Sequence, residues 1–212
     1  MDTDHLIRTL AADNDWRTPS VRLWLTVGLI IAGAISSMMF MMTLHVRPDV
    51  GTAMHNPFFD LKFAVTLGLA IPALAIGLRL ARPNAAIGGR IWLLALPVGF
   101  LLFGIVAEAM VPQRLSWSAR LVGNNARVCM TAIPAMSLPL LVASLLALRH
   151  GAPTRPALAG AVAGLIAAGL AATLYASHCT DDSPLFVATW YTLATALVAG
   201  VGAFAGARVL RF

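Results

Sequence analysis

The stretch Leu23-Trp-Leu-Thr-Val-Gly-Leu-Ile-Ile-Ala-Gly-Ala-Ile-Ser-Ser-Met-Met-Phe-Met-Met-Thr-Leu44 contains no formal charge. At 1.5 Å per residue a helix of this length crosses the roughly 30 Å hydrocarbon core of a bilayer. The rest of the 212-residue chain repeats the theme, with charge-poor apolar runs at 63–78, 91–111, 128–148, 157–177 and 185–207. Lys62 and Arg79 flank the shortest run, and their aliphatic stems extend it by snorkelling. Only 11% of residues are charged and 59% are hydrophobic, against about 25% charged in a soluble domain. The mean hydropathy is +0.81. This composition excludes disorder, which needs low hydrophobicity and high charge. The net charge of +6 lies in short clusters between apolar runs, so it argues for basic loops and against direct nucleic-acid binding. Pro72, Pro97, Pro134 and Pro139 fall inside the runs, where neighbouring helices satisfy the carbonyls they free. The expected fold is all-α: a polytopic membrane protein with a bundle of six transmembrane helices over 23–212, preceded by a polar segment, 1–22.

Orientation follows from Lys and Arg alone. The side holding the N-terminus carries ten of them: Arg8, Arg17, Arg22, Arg79, Arg82, Arg90, Arg149, Arg155, Arg208 and Arg211. The opposite side carries five: Arg47, Lys62, Arg114, Arg120 and Arg127. Both termini are therefore expected in the cytoplasm. The first apolar run follows a polar segment and is too long for a cleaved signal peptide. In that polar segment Leu6, Ile7, Leu10 and Ala11 form one apolar stripe beside Asp4, Arg8 and Asp13, the pattern of a short amphipathic helix. One or two turns do not fold alone, but they fold against a partner's groove or on a membrane surface.

Few groups carry chemistry. The two cysteines, Cys129 at the start of the fourth run and Cys179 just after the fifth, fall on the same external face if those helices pack antiparallel. An oxidising compartment there permits a disulfide, and a thiol pair also suits a soft metal. Cys179 sits in His178-Cys179-Thr180-Asp181-Asp182. An imidazolium neighbour favours thiolate and the carboxylates disfavour it. Cys129, Cys179 and His178 make one candidate metal set, and Asp181 offers a further oxygen ligand. Met38, Met42 and His45 make a second on one helical face, with ligands that suit Cu(I). Packed apolar filler would use the same residue types. Glu108, one turn before Pro112, pairs with Arg114 or reaches water. The patterns 160–164 and 202–206, Gly-Ala-Val-Ala-Gly and Gly-Ala-Phe-Ala-Gly, let helices approach closely. No Walker, HExxH or dinucleotide-binding glycine pattern occurs in a usable context, and two cysteines are too few for a quinone-linked thiol relay. The chain does not read as an enzyme.

A set of short motifs is more specific. Arg47-Pro48-Asp49 follows the first run, Cys129 opens the fourth, and Arg149-His150-Gly151-Ala152-Pro153-Thr154 links the fourth and fifth. The densest part is Tyr175-Ala176-Ser177-His178-Cys179, Asp182-Ser183-Pro184-Leu185-Phe186 and Trp190-Tyr191. In these residues the chain resembles the NrsF family of bacterial membrane-bound anti-sigma factors, with Asp181 where Glu is more common. The resemblance implies six transmembrane helices in the inner (cytoplasmic) membrane. It also implies an extracytoplasmic-function sigma factor as partner and a part for Cys129 and Cys179 in the signal response. The two readings combine mechanically: a cytoplasmic segment holds the sigma factor through Leu6, Ile7 and Leu10, while Cys129, Cys179, His178 and Asp181 sense a signal on the opposite face. No resident cofactor is expected, a transition metal entering only as a signal. The competing class is a small membrane transporter or metal-handling protein, supported by Glu108, the Met cluster and the proline-interrupted runs. It lacks the paired broken helices and central charge that transport sites often show.

Overall fold

Ser20 ends the polar head by accepting a hydrogen bond from the Leu23 amide, 3.3 Å, at the start of α2 (Val21–Thr43). In the computed structural model, which describes residues 3–12, 19–82, 88–112 and 115–211, α2 is preceded by α1 (Thr3–Ala12) with Asp4 in its first turn. A short α3 (Val50–Ala53) leads to α4 (Pro57–Leu80). Asn56 caps α4 through the Phe58 amide, 3.1 Å, with Pro57 in the first turn, where a missing N–H costs nothing. A 3₁₀ segment, Gly88–Ala95, runs into α5 (Leu96–Met110). The short α6 (Trp117–Val122) precedes α7 (Ala126–Arg149), and α8 (Pro156–Ala176) follows. The last span opens with α9 (Pro184–Phe186), widens to a π-helical stretch over Val187–Tyr191, and continues as α10 (Thr192–Val209). Six of the helical segments among the described residues are long and apolar enough to cross a membrane. No described residue lies in a strand.

Helix α8 is the hub, packed on α4, α7 and α10, while α2 lies outside on α7 and α5 outside on α4. Its sequence explains this place: Ala159, Ala163, Ala167, Ala168 and Ala171 are wholly buried, so neighbouring backbones come close. A Cβ on Gly164 would stand 2.6 Å from the Ala199 Cα, and one on Gly206 would stand 2.6 Å from the Gly160 Cα. The two small-xxx-small patterns therefore meet each other across the α8–α10 contact. Helix α7 keeps its interior hydroxyls satisfied locally, Ser137 bonding the Ile133 carbonyl at 2.7 Å and Ser144 the Leu140 carbonyl at 2.8 Å. From α2, the Ser36 hydroxyl donates to the Met136 carbonyl at 2.8 Å.

The helices alternate in direction, which gives the bundle two distinct ends. At one, Trp24 stacks on His150 with ring centroids 4.5 Å apart, and the Ala152 amide donates to the Ala81 carbonyl at 3.1 Å. At the other, the Arg47 amide donates to the Ser177 carbonyl at 3.1 Å and Asp181 meets the start of α7. Helix α4 runs further in both directions than the charge-free stretch 63–78, because Lys62 is inside the bundle and not at its rim.

Candidate functional site

The site lies at the Cys179 end, where three connections converge. The first leaves α2 through His45, whose φ of +62° turns the chain sharply, and delivers Arg47. The second is the start of α4, which delivers Lys62. The third is the 177–183 connection between α8 and α9, which delivers Cys179, Asp181 and Asp182.

Lys62 is fully buried and Arg47 is 7% exposed, so each cation needs an internal partner. Both find Asp182: the Lys62 Nζ stands 2.6 Å from Oδ1 and an Arg47 terminal nitrogen 3.0 Å from it. The same two groups donate to the Cys179 carbonyl, at 2.8 Å from Lys62 and 3.3 Å from Arg47. Arg47 turns its remaining edge to Asp49 in a bidentate pair, both bonds 2.7 Å. The Phe59 ring faces both cations, 4.9 Å from Nζ and 5.5 Å from the guanidinium carbon. Two carboxylates thus neutralise two buried cations, Asp182 within the cluster and Asp49 at its half-exposed edge. Hydrogen bonding to Asp49 holds the Arg47 guanidinium above even its usual high range, against the opposing pull of desolvation. The same bond draws the Asp49 carboxyl below its usual value.

Beside this charge cluster lie the thiols. Cys129 and Cys179 are both wholly buried, free, and members of one apolar core cluster. Burial pushes the Cys179 thiol up, and the Lys62 ammonium partly offsets that. At neutral pH Cys179 is therefore a thiol, not a thiolate. The Tyr175 and Tyr191 side chains approach its sulfur. The Tyr175 hydroxyl donates to the Asn125 carbonyl at 3.3 Å, and the Tyr191 hydroxyl has no hydrogen bond of good geometry to a described atom.

Asp181 faces the other way, accepting from the amides of Asn124 and Asn125 at 3.0 and 2.8 Å and from the Asn125 side chain at 2.9 Å. It caps α7 from a distant part of the chain, and its charge complements the positive end of the helix that carries Cys129. Gly123 makes room for it. Its φ is +59°, and a Cβ there would stand 2.5 Å from Phe186 and 2.8 Å from Asp181. His178 Nδ1 donates to the His45 carbonyl at 2.9 Å, fixing the corner that brings in Arg47.

The sequence candidates are thus sorted by geometry. Cys129 and Cys179 are both in the one buried core cluster, while His178 and Asp181 are engaged in structural hydrogen bonds. No three His, Cys, Asp or Glu side chains among the described residues converge as a metal site, so Cys129, Cys179 and His178 do not form a ready ligand set. Met38 and Met42 are 59% and 67% exposed on the outer face of α2. Glu108 is buried and pairs with Arg120 at 3.1 Å, whereas Arg114 is outside the described residues. The side chains of Leu6 and Leu10 also lie outside the described set; between them Ile7 is exposed. Lys62 and Asp182 were not candidates, and the signals that could have found them are a lysine among aromatic residues and the aspartate of the Asp182-Ser183-Pro184 motif.

The described residues thus form a polytopic helical bundle with two buried thiols and an internally neutralised charge cluster. The family model described as "Negative regulator of sigma F", NrsF, matches residues 10–212, and the chain belongs to that family. It is 36% identical to the anti-sigma-F factor NrsF of Caulobacter vibrioides and 34% identical to the probable anti-sigma-F factor NrsF of Azospira oryzae, each over the full length of both chains. No solved structure matches. The family is one of anti-sigma factors, so the chain is regulatory and not catalytic.

Proposed function

We propose that the protein holds an extracytoplasmic-function sigma factor at the bacterial inner membrane and releases it when a signal reaches Cys129 and Cys179 from the periplasmic side. Six helices fit to span a bilayer and the ten-to-five bias of Arg and Lys support cytoplasmic termini. The N-terminal segment then faces the cytoplasm, with Leu6, Ile7 and Leu10 as apolar anchors for the sigma factor and the loops near Arg82 and Arg149 beside it.

The observation that carries the sensing half is the position of Cys179. Its sulfur lies in the same buried cluster as Cys129, and its carbonyl is the shared acceptor of Lys62 and Arg47. A thiophilic metal or an oxidant acting on the pair must move that backbone, and with it the groups that tie α2, α4 and α8 together. A signal switches a protein only if it binds its two states differently, and this arrangement supplies the difference. Full-length protein in membranes should capture the sigma factor. Leu6→Asp with Leu10→Asp should release it while the bundle stays folded. Cys129→Ser and Cys179→Ser should each alter induction, the double variant resembling the singles. Undiminished capture by the Asp variant would move the interface to the loops, and normal induction in both Ser variants would leave the cysteines as packing residues. Substrate-dependent flux through reconstituted protein, with no sigma capture, would favour the transporter alternative.

A further inference from the structure

Helix α2 rests on α7 and touches α8 only lightly, with no extensive contact to α4. Near the start of α2 this leaves an open groove of about 440 Å³, lined by Leu25, Leu29, Ile30, Leu74, Leu78 and Leu170, with Arg22 at its mouth. A second cavity of about 260 Å³, lined by Ser20, Val21, Arg22, Leu78, Ala81 and Arg82, shares Arg22 and Leu78 with the first. The two together have the form of an amphipathic ligand: a polar head chamber and a longer apolar trough. Among the described residues no acidic side chain lines either, and neither guanidinium has an ion pair.

We propose that this is a binding site for one anionic glycerophospholipid. The headgroup phosphate sits between Arg22 and Arg82, both of which line the smaller cavity. One acyl chain runs down the trough between α2 and α4. Charge complementarity selects an anionic head, and the apolar trough selects a lipid over a free anion. Basic pockets between membrane helices recognise such headgroups generally. The site lies where the N-terminal segment joins the bundle, so its occupant stabilises the root of that segment. This inference needs the bilayer but not the sigma factor, so it stands or falls separately from the proposed partner.

The test uses the full chain purified in mild detergent, with native mass spectrometry reading retained lipid. Phosphatidylglycerol should be retained at least tenfold better than phosphatidylcholine of the same chains. Each arginine near an anionic head is worth about fivefold, so R22Q with R82Q should lower phosphatidylglycerol binding ten- to thirtyfold and phosphatidylcholine binding much less, because choline already offsets the phosphate of the latter. Thr26→Trp, an exposed position on the trough wall, should lower retention of both lipids, and excess inorganic phosphate should displace neither. Equal retention of the two lipids, a double variant that binds like the parent, an undisturbed Thr26→Trp, or displacement by phosphate alone would each overturn the proposal.

Discussion

At the Cys179 end, Lys62, Arg47, Asp49 and Asp182 bring charge into the bundle and neutralise it there, with the Cys179 carbonyl as a shared acceptor. At the opposite end, α8 and α10 meet through glycine backbone, Gly160 and Gly164 against Gly202 and Gly206, and Arg22, Arg82 and Arg149 have no ion pair with a described residue. The first arrangement spends its cations on the fold. The second leaves them for water, headgroups or a protein partner. Among the described residues the two ends therefore differ in kind: one is tied by buried ion pairs, and the other leaves its arginines without a carboxylate partner.

The sharpest way to break the comparison is to remove Lys62. Cutting one partner from a buried pair leaves the other charge without compensation and costs about 3–5 kcal/mol. Asp182 keeps Arg47, so Lys62→Met should fall at the lower end, about 3 kcal/mol, in denaturant unfolding of detergent-solubilised protein. Adding Asp182→Asn should recover part of the loss, giving a coupling energy in a double-mutant cycle. A single variant within about 0.5 kcal/mol of the parent, the range of ordinary surface changes, would mean that the cluster does not hold the three connections together.

The glycine end breaks differently. Gly→Ala in a helix interior ordinarily stabilises by about 0.5–1 kcal/mol. At Gly164 the new Cβ would meet backbone, 2.6 Å from the Ala199 Cα and 2.7 Å from the Val198 carbonyl oxygen, and backbone does not yield as a side chain does. Gly164→Ala should therefore destabilise by about 1–3 kcal/mol, the usual range for overpacking. Gly200→Ala, on α10 with nothing within 4 Å of its Cβ, should be neutral or stabilising. Equal effects at the two positions would deny that α8 and α10 are held by close backbone approach.

These two variants also mark where the sequence was legible. The small-residue patterns at 160–164 and 202–206 could be read directly, yet only the fold shows that they face each other. Six spans followed from run length because apolar stretches of that size have few alternatives. The second run was read as starting just after Lys62, since a lysine normally marks the rim of a span. That inference fails when the lysine has its own buried carboxylate, and Asp182 is too distant in the chain for any local pattern to join them. The cysteines could be read as a pair because helix direction alternates, which puts the start of one span beside the end of the next, and both lie in the one buried core cluster. Asp181 was read as a ligand, but its oxygens go to the amides that open α7, a role only visible once the two connections are adjacent. Glu108 was read with Arg114 by nearness in sequence, whereas Arg120, on the short helix α6, reaches it through the turn.

Asp181 gives the next measurement. Loss of a helix cap costs about 0.5–2 kcal/mol, typically about 1, so Asp181→Ala should destabilise by about 1 kcal/mol and speed hydrogen exchange at the first amides of α7. Because Cys129 lies one turn in, the variant should also raise the accessibility of that thiol to a maleimide. Unchanged exchange at the start of α7 would show that Asn125 and its own turn suffice.

The smallest expected effect belongs to Asp49, and its sign is fixed by the direction of its shift. The bidentate bond from Arg47 lowers the folded-state value below the ordinary 3.8. A carboxyl held low in the folded state contributes stability that is fully present well above the unfolded value and is lost as pH falls through the folded one. The wild-type protein should thus lose a little thermal stability as the pH drops below about 5, the usual upper limit of such carboxylate titrations. Asp49→Asn, already without the charge, should show a flatter profile, so the gap between the two melting curves narrows toward pH 3. Half of the Asp49 side chain is exposed, so solvent and salt weaken the bond, and the gap at pH 7 should shrink at high ionic strength. Lys62 and Asp182, shielded from water, should not respond to salt in this way. A gap that stays constant from pH 7 to pH 3 would assign Asp49 a role in shaping the turn after Pro48 instead of holding Arg47 by charge.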